Sequence, residues 1–149
     1  MATDTAQAVL ESFGRQVGIE GLGFDEGGHC ALAIDDKTVV NIEHDVPRER
    51  LLLYSLIGAP GGDLAAAYGA ILRANYLGVE TRGPTFGLRP DDDALVLSQY
   101  LPLVTLDLPT FEAALQNFVG VTEDWSARLP GLGAPASEPA PSPLGSLRA

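Results

Sequence analysis

The chain has 149 residues, enough for one domain with its own core. Its formal net charge of −11 opposes nucleic acid and anionic membrane, and favours a basic or flexible polypeptide partner. The single cysteine, Cys30, excludes an internal disulfide and suits a reducing cytosol. The opening MATDTAQAVLESFG lacks a basic region followed by a long apolar core, so it does not read as a signal peptide. No run approaches the roughly eighteen apolar residues of a membrane span, and the expectation is a soluble, cytoplasmic chain.

The first helix is expected over Thr5–Val17, with Asp4 as its cap and Gln7 three residues on. Leu10, Phe13 and Val17 share one stripe, and the glycines of GIEGLG end the helix. Leu22 and Phe24 suggest a short strand before the turn Asp25-Glu26-Gly27-Gly28. His29–Ile34 and Thr38–Glu43 both alternate, with Cys30, Leu32 and Ile34 on one face and Val40 and Ile42 inward. Joined only by Asp35-Asp36-Lys37, they predict an antiparallel hairpin.

The segment Arg50–Gly78 organises the rest. Leu51, Leu53 and Ile57 alternate with Leu52, Tyr54 and Leu56, so the strand is apolar on both faces and is expected mid-sheet, covered on both sides. After the Gly/Pro break, Asp63 can cap a helix that Gly78 closes. Leu64, Tyr68, Ile71, Leu72 and Asn75 make its large-residue face, expected on the sheet. Ala66, Gly69, Ala70 and Ala74 make a small-residue face shaped for a second copy of the chain. Two further strands follow, Thr85–Arg89 and Ala94–Leu101. A last helix starts at Thr105 or Asp107, with Phe111, Leu115, Phe118, Trp125 and Leu129 on one stripe and Thr122 between them. Pro130 and Gly131 stop it. Residues 130–149, rich in Pro, Ala, Ser and Gly, read as a disordered tail after a 1–129 domain. The order α-β-β-β-α-β-β-α predicts an α+β domain, a twisted antiparallel sheet flanked by helices.

Catalytic patterns are weak. His29 and Cys30 are neighbours on a strand and point to opposite faces, so they cannot chelate one metal. Asp91-Asp92-Asp93 lacks the spacing and distal Glu of a calcium loop. Gly58-Ala59-Pro60-Gly61-Gly62 precedes a helix but has no Lys-Ser/Thr, and Asp63 would repel phosphate. There is no G-x-S-x-G or H-E-x-x-H, and Cys30 lacks a strongly basic neighbour. No enzyme, metal or cofactor is expected. What remains is apolar surface.

The segments LESFGRQVGI, CALAIDDKTVVNI, RLLLYSLIGAPGG, AAAYGAILRANYLG, TRGPTFGLRPDDDALVLSQYLPL and FEAALQNFVGVTEDWSARL, in this order, resemble the type III secretion effector chaperones of the Tir-chaperone (CesT-like) family. ILRANYLG and the run D-x-x-A-L-V-L-S-Q-Y-L-P-L, before a helix ending in Trp125, are the most specific parts. The resemblance spans Ala6 to about Leu129. It implies a homodimeric, ATP-independent chaperone of a Gram-negative cytosol. Such a chaperone binds the N-terminal region of one or more secreted effectors, keeps it non-globular and presents it to the secretion machinery, its ATPase included. On this sequence it implies a dimer element of Leu64, Ala66, Ala67, Ala70, Ala74 and Leu77. Effector contacts would fall on Leu10, Phe13, Val17, Leu22, Phe24, Leu32 and Ile34. Two alternatives remain open: a dimeric binding or regulatory module of the same fold unrelated to secretion, and, ranked last, a small acid/base enzyme.

Overall fold

The structure is a computed structural model describing residues 2–134, with side chains from Thr5 onward. The element order is the expected one: α1 (Ala2–Val17), β1 (His29–Ile34), β2 (Thr38–Asp45), β3 (Arg50–Gly58), α2 (Leu64–Asn75), β4 (Thr85–Leu88), β5 (Leu95–Pro102) and α3 (Leu108–Arg128). The five strands form one sheet in the order β1-β2-β3-β5-β4, every neighbouring pair antiparallel. β3 is therefore the middle strand. The β1–β2 hairpin closes through Asp35 and Asp36, both left-handed (φ 52° and 56°), with the Lys37 N–H bonded to the Ile34 carbonyl. Aspartate tolerates that region better than most side chains, and the turn follows the strand twist.

Pairing places Cys30, Ile42 and Leu53 side by side, and next to them Leu32 and Val40, on one face of the sheet. Ser55 and Leu97 extend this face, and α1 and α3 pack against it. Phe111 of α3 meets Phe13 of α1 edge-on at 5.4 Å, and Trp125 meets Phe86 of β4 at 5.0 Å, both favourable aromatic geometries. Phe111 and Phe118 are fully buried. Each large side chain so buried contributes about 1.5–3 kcal/mol.

Several local expectations need correction. α1 starts at Ala2, so Asp4 is a first-turn residue and not its cap. Leu22 and Phe24 form no strand, although both pack on the core as part of a loop. α2 ends at Asn75, followed by a 3₁₀ turn, Tyr76–Gly78, in which Leu77 is left-handed at φ 53°. α2 is also rotated. Its inward stripe is Ala67, Ile71 and Ala74, whereas Leu64 and Leu72 face out. The cause is non-local: the Asn75 side chain accepts from the Phe86 N–H (2.8 Å) and donates to the Phe86 carbonyl (3.1 Å). That double bond ties the helix to β4 through Asn75, and the alanines, lacking bulk, let its backbone approach.

The other two helix starts carry expected caps, the second at Asp107 and not at the alternative Thr105. Asp63 accepts from the Ala66 N–H at 3.1 Å, and Asp107 from the Thr110 N–H at 2.9 Å with Pro109 in the first turn. Beyond α3 the fold continues. Leu129–Gly131 forms a 3₁₀ turn, and Gly133 pairs with Gly62 in a parallel bridge. The Gly133 N–H bonds to the Gly61 carbonyl (3.0 Å) and the Asp63 N–H to the Gly133 carbonyl (2.9 Å). A Cβ on Gly133 would lie 2.3 Å from the Gly61 oxygen, and one on Gly62 2.5 Å from the Gly133 oxygen, so two glycine loops interlock backbone to backbone. Residues 130–134 thus belong to the domain. The remainder of the expected tail, 135–149, lies outside the described residues.

Candidate protein-binding surfaces

Alternation along five strands gives the sheet a second face, and among the described residues no helix is packed over it. It carries Leu52, Tyr54 and Leu56 of β3, Val96 and Tyr100 of β5, and Val39 of β2. Val39, Leu56 and Tyr100 are each about half-exposed, at 50%, 53% and 49%. The expectation that β3 is covered on both sides is therefore wrong for the described chain: one face is filled and the other open. The charged residues of the open face are Glu43, which pairs in register with Leu52, and Asp45 and Arg50 at one end. At its lower end Arg50 stacks on Tyr100, 3.4 Å from the ring centroid, and donates to Asp45 at 2.9 Å. That bond holds the Asp45 carboxyl below the usual carboxylate range. A largely apolar sheet face edged by a satisfied ion pair and a cation–π contact is an exposed patch of the kind that marks interaction surfaces.

The outward side of α2 is a second apolar surface. Leu72, Tyr76 and Leu77 are largely exposed, and Leu72, with Tyr68, Leu88 and Leu95, borders a groove of about 290 Å³ between α2 and β4. Of the residues expected at an interface between copies, Leu64 and Leu77 are exposed and Ala66 and Ala70 half-buried. Ala67 and Ala74 are fully buried inside the protomer, because they are the small residues that seat α2. Sequence reasoning assigned Leu72 to the sheet and did not single out Tyr76; their exposure depends on the helix rotation set by Asn75.

The third surface flanks α1. Leu22 and Phe24 line a groove of about 870 Å³ between α1 and the 18–25 loop, and the Gln7 side chain accepts from the Phe24 N–H at 3.2 Å. Phe13, Val17 and Ile34 line another, of about 510 Å³, between α1, α3 and the end of β1. Val17 is well exposed. Leu10 and Leu32, also expected to touch an effector, lie beneath the surface in the core: the stripe was right, but α3 and the sheet already cover its inner members.

The polar residues do not converge on a reaction centre. His29 Nε2 lies 2.9 Å from Asn41 Oδ1, and Cys30 is a buried thiol whose pKa is pushed up by burial and by Asp25. In the 91–93 turn, Arg89 grips Asp92 with two bonds of 2.9 and 2.7 Å, pulling its carboxyl down to about 2. Among the described residues, no three His, Cys, Asp or Glu side chains gather to hold a metal.

The fold is shared with known proteins. The profile of the Tir chaperone protein (CesT) family matches residues 8–126. The chain belongs to that family. The CesT-family chain is 28% identical over 98 residues to the Tir chaperone of Escherichia coli O157:H7, a stretch covering 66% of this chain and 62% of that protein. The solved HopA1–SchA chaperone–effector complex contains a chain with TM-score 0.75 and 25% identity, the match covering 85% of this chain and 97% of that one. A chain of the ExsC–ExsE complex gives TM-score 0.74 and 26% identity, covering 86% and 96%. The fold is that of the type III secretion effector chaperones.

Proposed function

We propose that this CesT-family chain is a cytosolic, ATP-independent homodimeric chaperone. It holds the N-terminal region of one or more secreted effectors in a non-globular, secretion-competent form and presents it to the secretion machinery, its ATPase included. The observation that carries the reading is the open apolar surface of an otherwise filled protomer. The outer face of α2, with Leu64, Leu72 and Leu77 at its centre and Ala66 and Ala70 beside them, joins two copies. The grooves around α1, with Val17, Leu22, Phe24, Ile34 and the edge of Phe13, receive the effector. Extended effector chain also has a strand edge to pair with, since β1 ends the sheet. The net charge of −11 keeps a protein with this much exposed apolar area dispersed. The similar chains belong to solved complexes, one of them described as chaperone–effector, which supports the assignment of a polypeptide partner.

Two measurements test it. Light scattering at micromolar concentration is expected to return twice the protomer mass; a clean monomer would end the dimer claim. Co-expression with the N-terminal segment of the protein encoded beside it is expected to yield a stable complex in which that segment stays protease-sensitive. Failure to retain any secreted N-terminus would favour a regulatory module of the same fold.

A further inference from the structure

The groove between α1, α3 and the end of β1 differs from the other open surfaces in its charge. Its floor is Phe13, Val17, Ile34, Leu115 and Val119, and its rim carries two carboxylates, Glu112 and Glu123, with no basic residue in the lining. Both rim acids have only neutral hydrogen-bond partners: Glu112 accepts from the Gln16 amide and Glu123 from the Thr38 hydroxyl at 3.4 Å. The arginine ion pairs among the described residues are made to Asp45, Glu80, Asp92 and Asp124, none of them to the rim acids, and Arg82, which passes beside Gly120 of the lining, is neutralised by Asp124. Eleven residues separate Glu112 from Glu123 on one helix, a rise of about 16 Å, equal to roughly five residues of extended chain. From this apolar floor between two uncompensated acids we infer that the groove selects a polypeptide segment combining aliphatic anchors with two flanking lysines or arginines.

The inference rests on the proposed chaperone role and names the chemistry of the segment bound there. Aliphatic side chains fill the floor, and each flanking cation finds a carboxylate at the rim. Such rim charges govern selectivity and association rate more than total affinity. An acidic segment of the same apolar pattern meets two like charges and is rejected.

The test uses two synthetic peptides with one leucine/isoleucine pattern, carrying either two lysines or two glutamates about five residues apart. Binding to the full-length protein is followed by fluorescence anisotropy at low and raised salt. The lysine peptide is expected to bind at least about tenfold more tightly, with the advantage shrinking as salt screens the rim. The double variant Glu112→Gln/Glu123→Gln is expected to erase the preference while leaving the protein folded. Asp91→Asn/Asp93→Asn, the same change in net charge at a distant turn, is expected to keep it. Equal binding of both peptides, no binding of either, or a preference that survives in the Gln/Gln variant would overturn the inference. The chaperone reading is judged separately. If the co-expressed effector segment is retained equally by wild type and the Gln/Gln variant, the role stands and the groove's selectivity falls. If wild type retains nothing, the role itself has failed.

Discussion

The two faces of the sheet are written in nearly the same alphabet and have opposite fates. On β3, Leu51, Leu53 and Ser55 lie under α1 and α3, while Leu52, Tyr54 and Leu56, one residue out of step, look outward. Composition does not separate the faces; helix supply does. Three helices serve one sheet. Two are spent on the inner face, and the third is held against β4 by Asn75. An exposed, largely apolar face of this kind is what interaction surfaces look like.

The sharpest way to break this contrast is to damage the closed face. Phe118→Ala empties a fully buried site and is expected to cost about 3–5 kcal/mol in chemical denaturation. An effect as small as that of an exposed residue would mean the inner face is not the core. Next is the link that sets α2: Asn75→Ala leaves the Phe86 N–H and carbonyl without partners and is expected to cost about 1–3 kcal/mol. Amide exchange at Phe86 should rise with it, and unchanged protection would show that the helix is placed by packing alone.

On the open surfaces the expectation reverses. Leu72→Glu and Leu56→Asp should each shift protomer stability by no more than about 0.5 kcal/mol. Leu72→Glu should nonetheless abolish dimer mass in light scattering, whereas a mass unaltered by it would move the interface away from α2. The smallest effect concerns a turn remote from both faces. Asp92 has its carboxyl depressed to about 2 by Arg89, so its contribution is present above the ordinary aspartate pKa and is lost as pH falls through about 2. Carboxyl NMR should show that midpoint, and Arg89→Ala should move it up towards the ordinary value.

Much of the architecture was legible because its signals are local. Alternation marked all five strands, Asp63 marked one helix start by the chemistry of orphan amides, and Asp107 was one of two starts expected for the last helix. The family resemblance was legible in the same segments, which lie largely within residues 8–126. What was hidden depends on contacts distant in sequence. Alternation says that Leu52 and Leu53 face apart, not which of them a helix covers. The turn of α2 rests on an asparagine bonding a strand eleven residues away, and alanine is equally at home on either side of a helix. For the same reason Leu10 and Leu32 looked available: a stripe gives direction, and only α3 shows that it is occupied. The selective rim was missed because Glu112 and Glu123 are unremarkable on their own helix and acquire meaning only opposite Val17 and Ile34.

The interlocked glycines have a mechanical consequence. Gly133 runs parallel to Gly62, so tension applied at residue 134 loads its two backbone hydrogen bonds together, in shear, before it can peel α3 from its end. The force passes into the loop that starts α2 and, through Leu132 and Leu129, onto the margin of the hydrophobic core. In a pulling experiment this predicts a small early rupture ahead of global unfolding, lost in Gly133→Val, whose side chain would collide with the Gly61 oxygen. Tension arriving at residue 134 would then reach first the helix proposed to join the two copies.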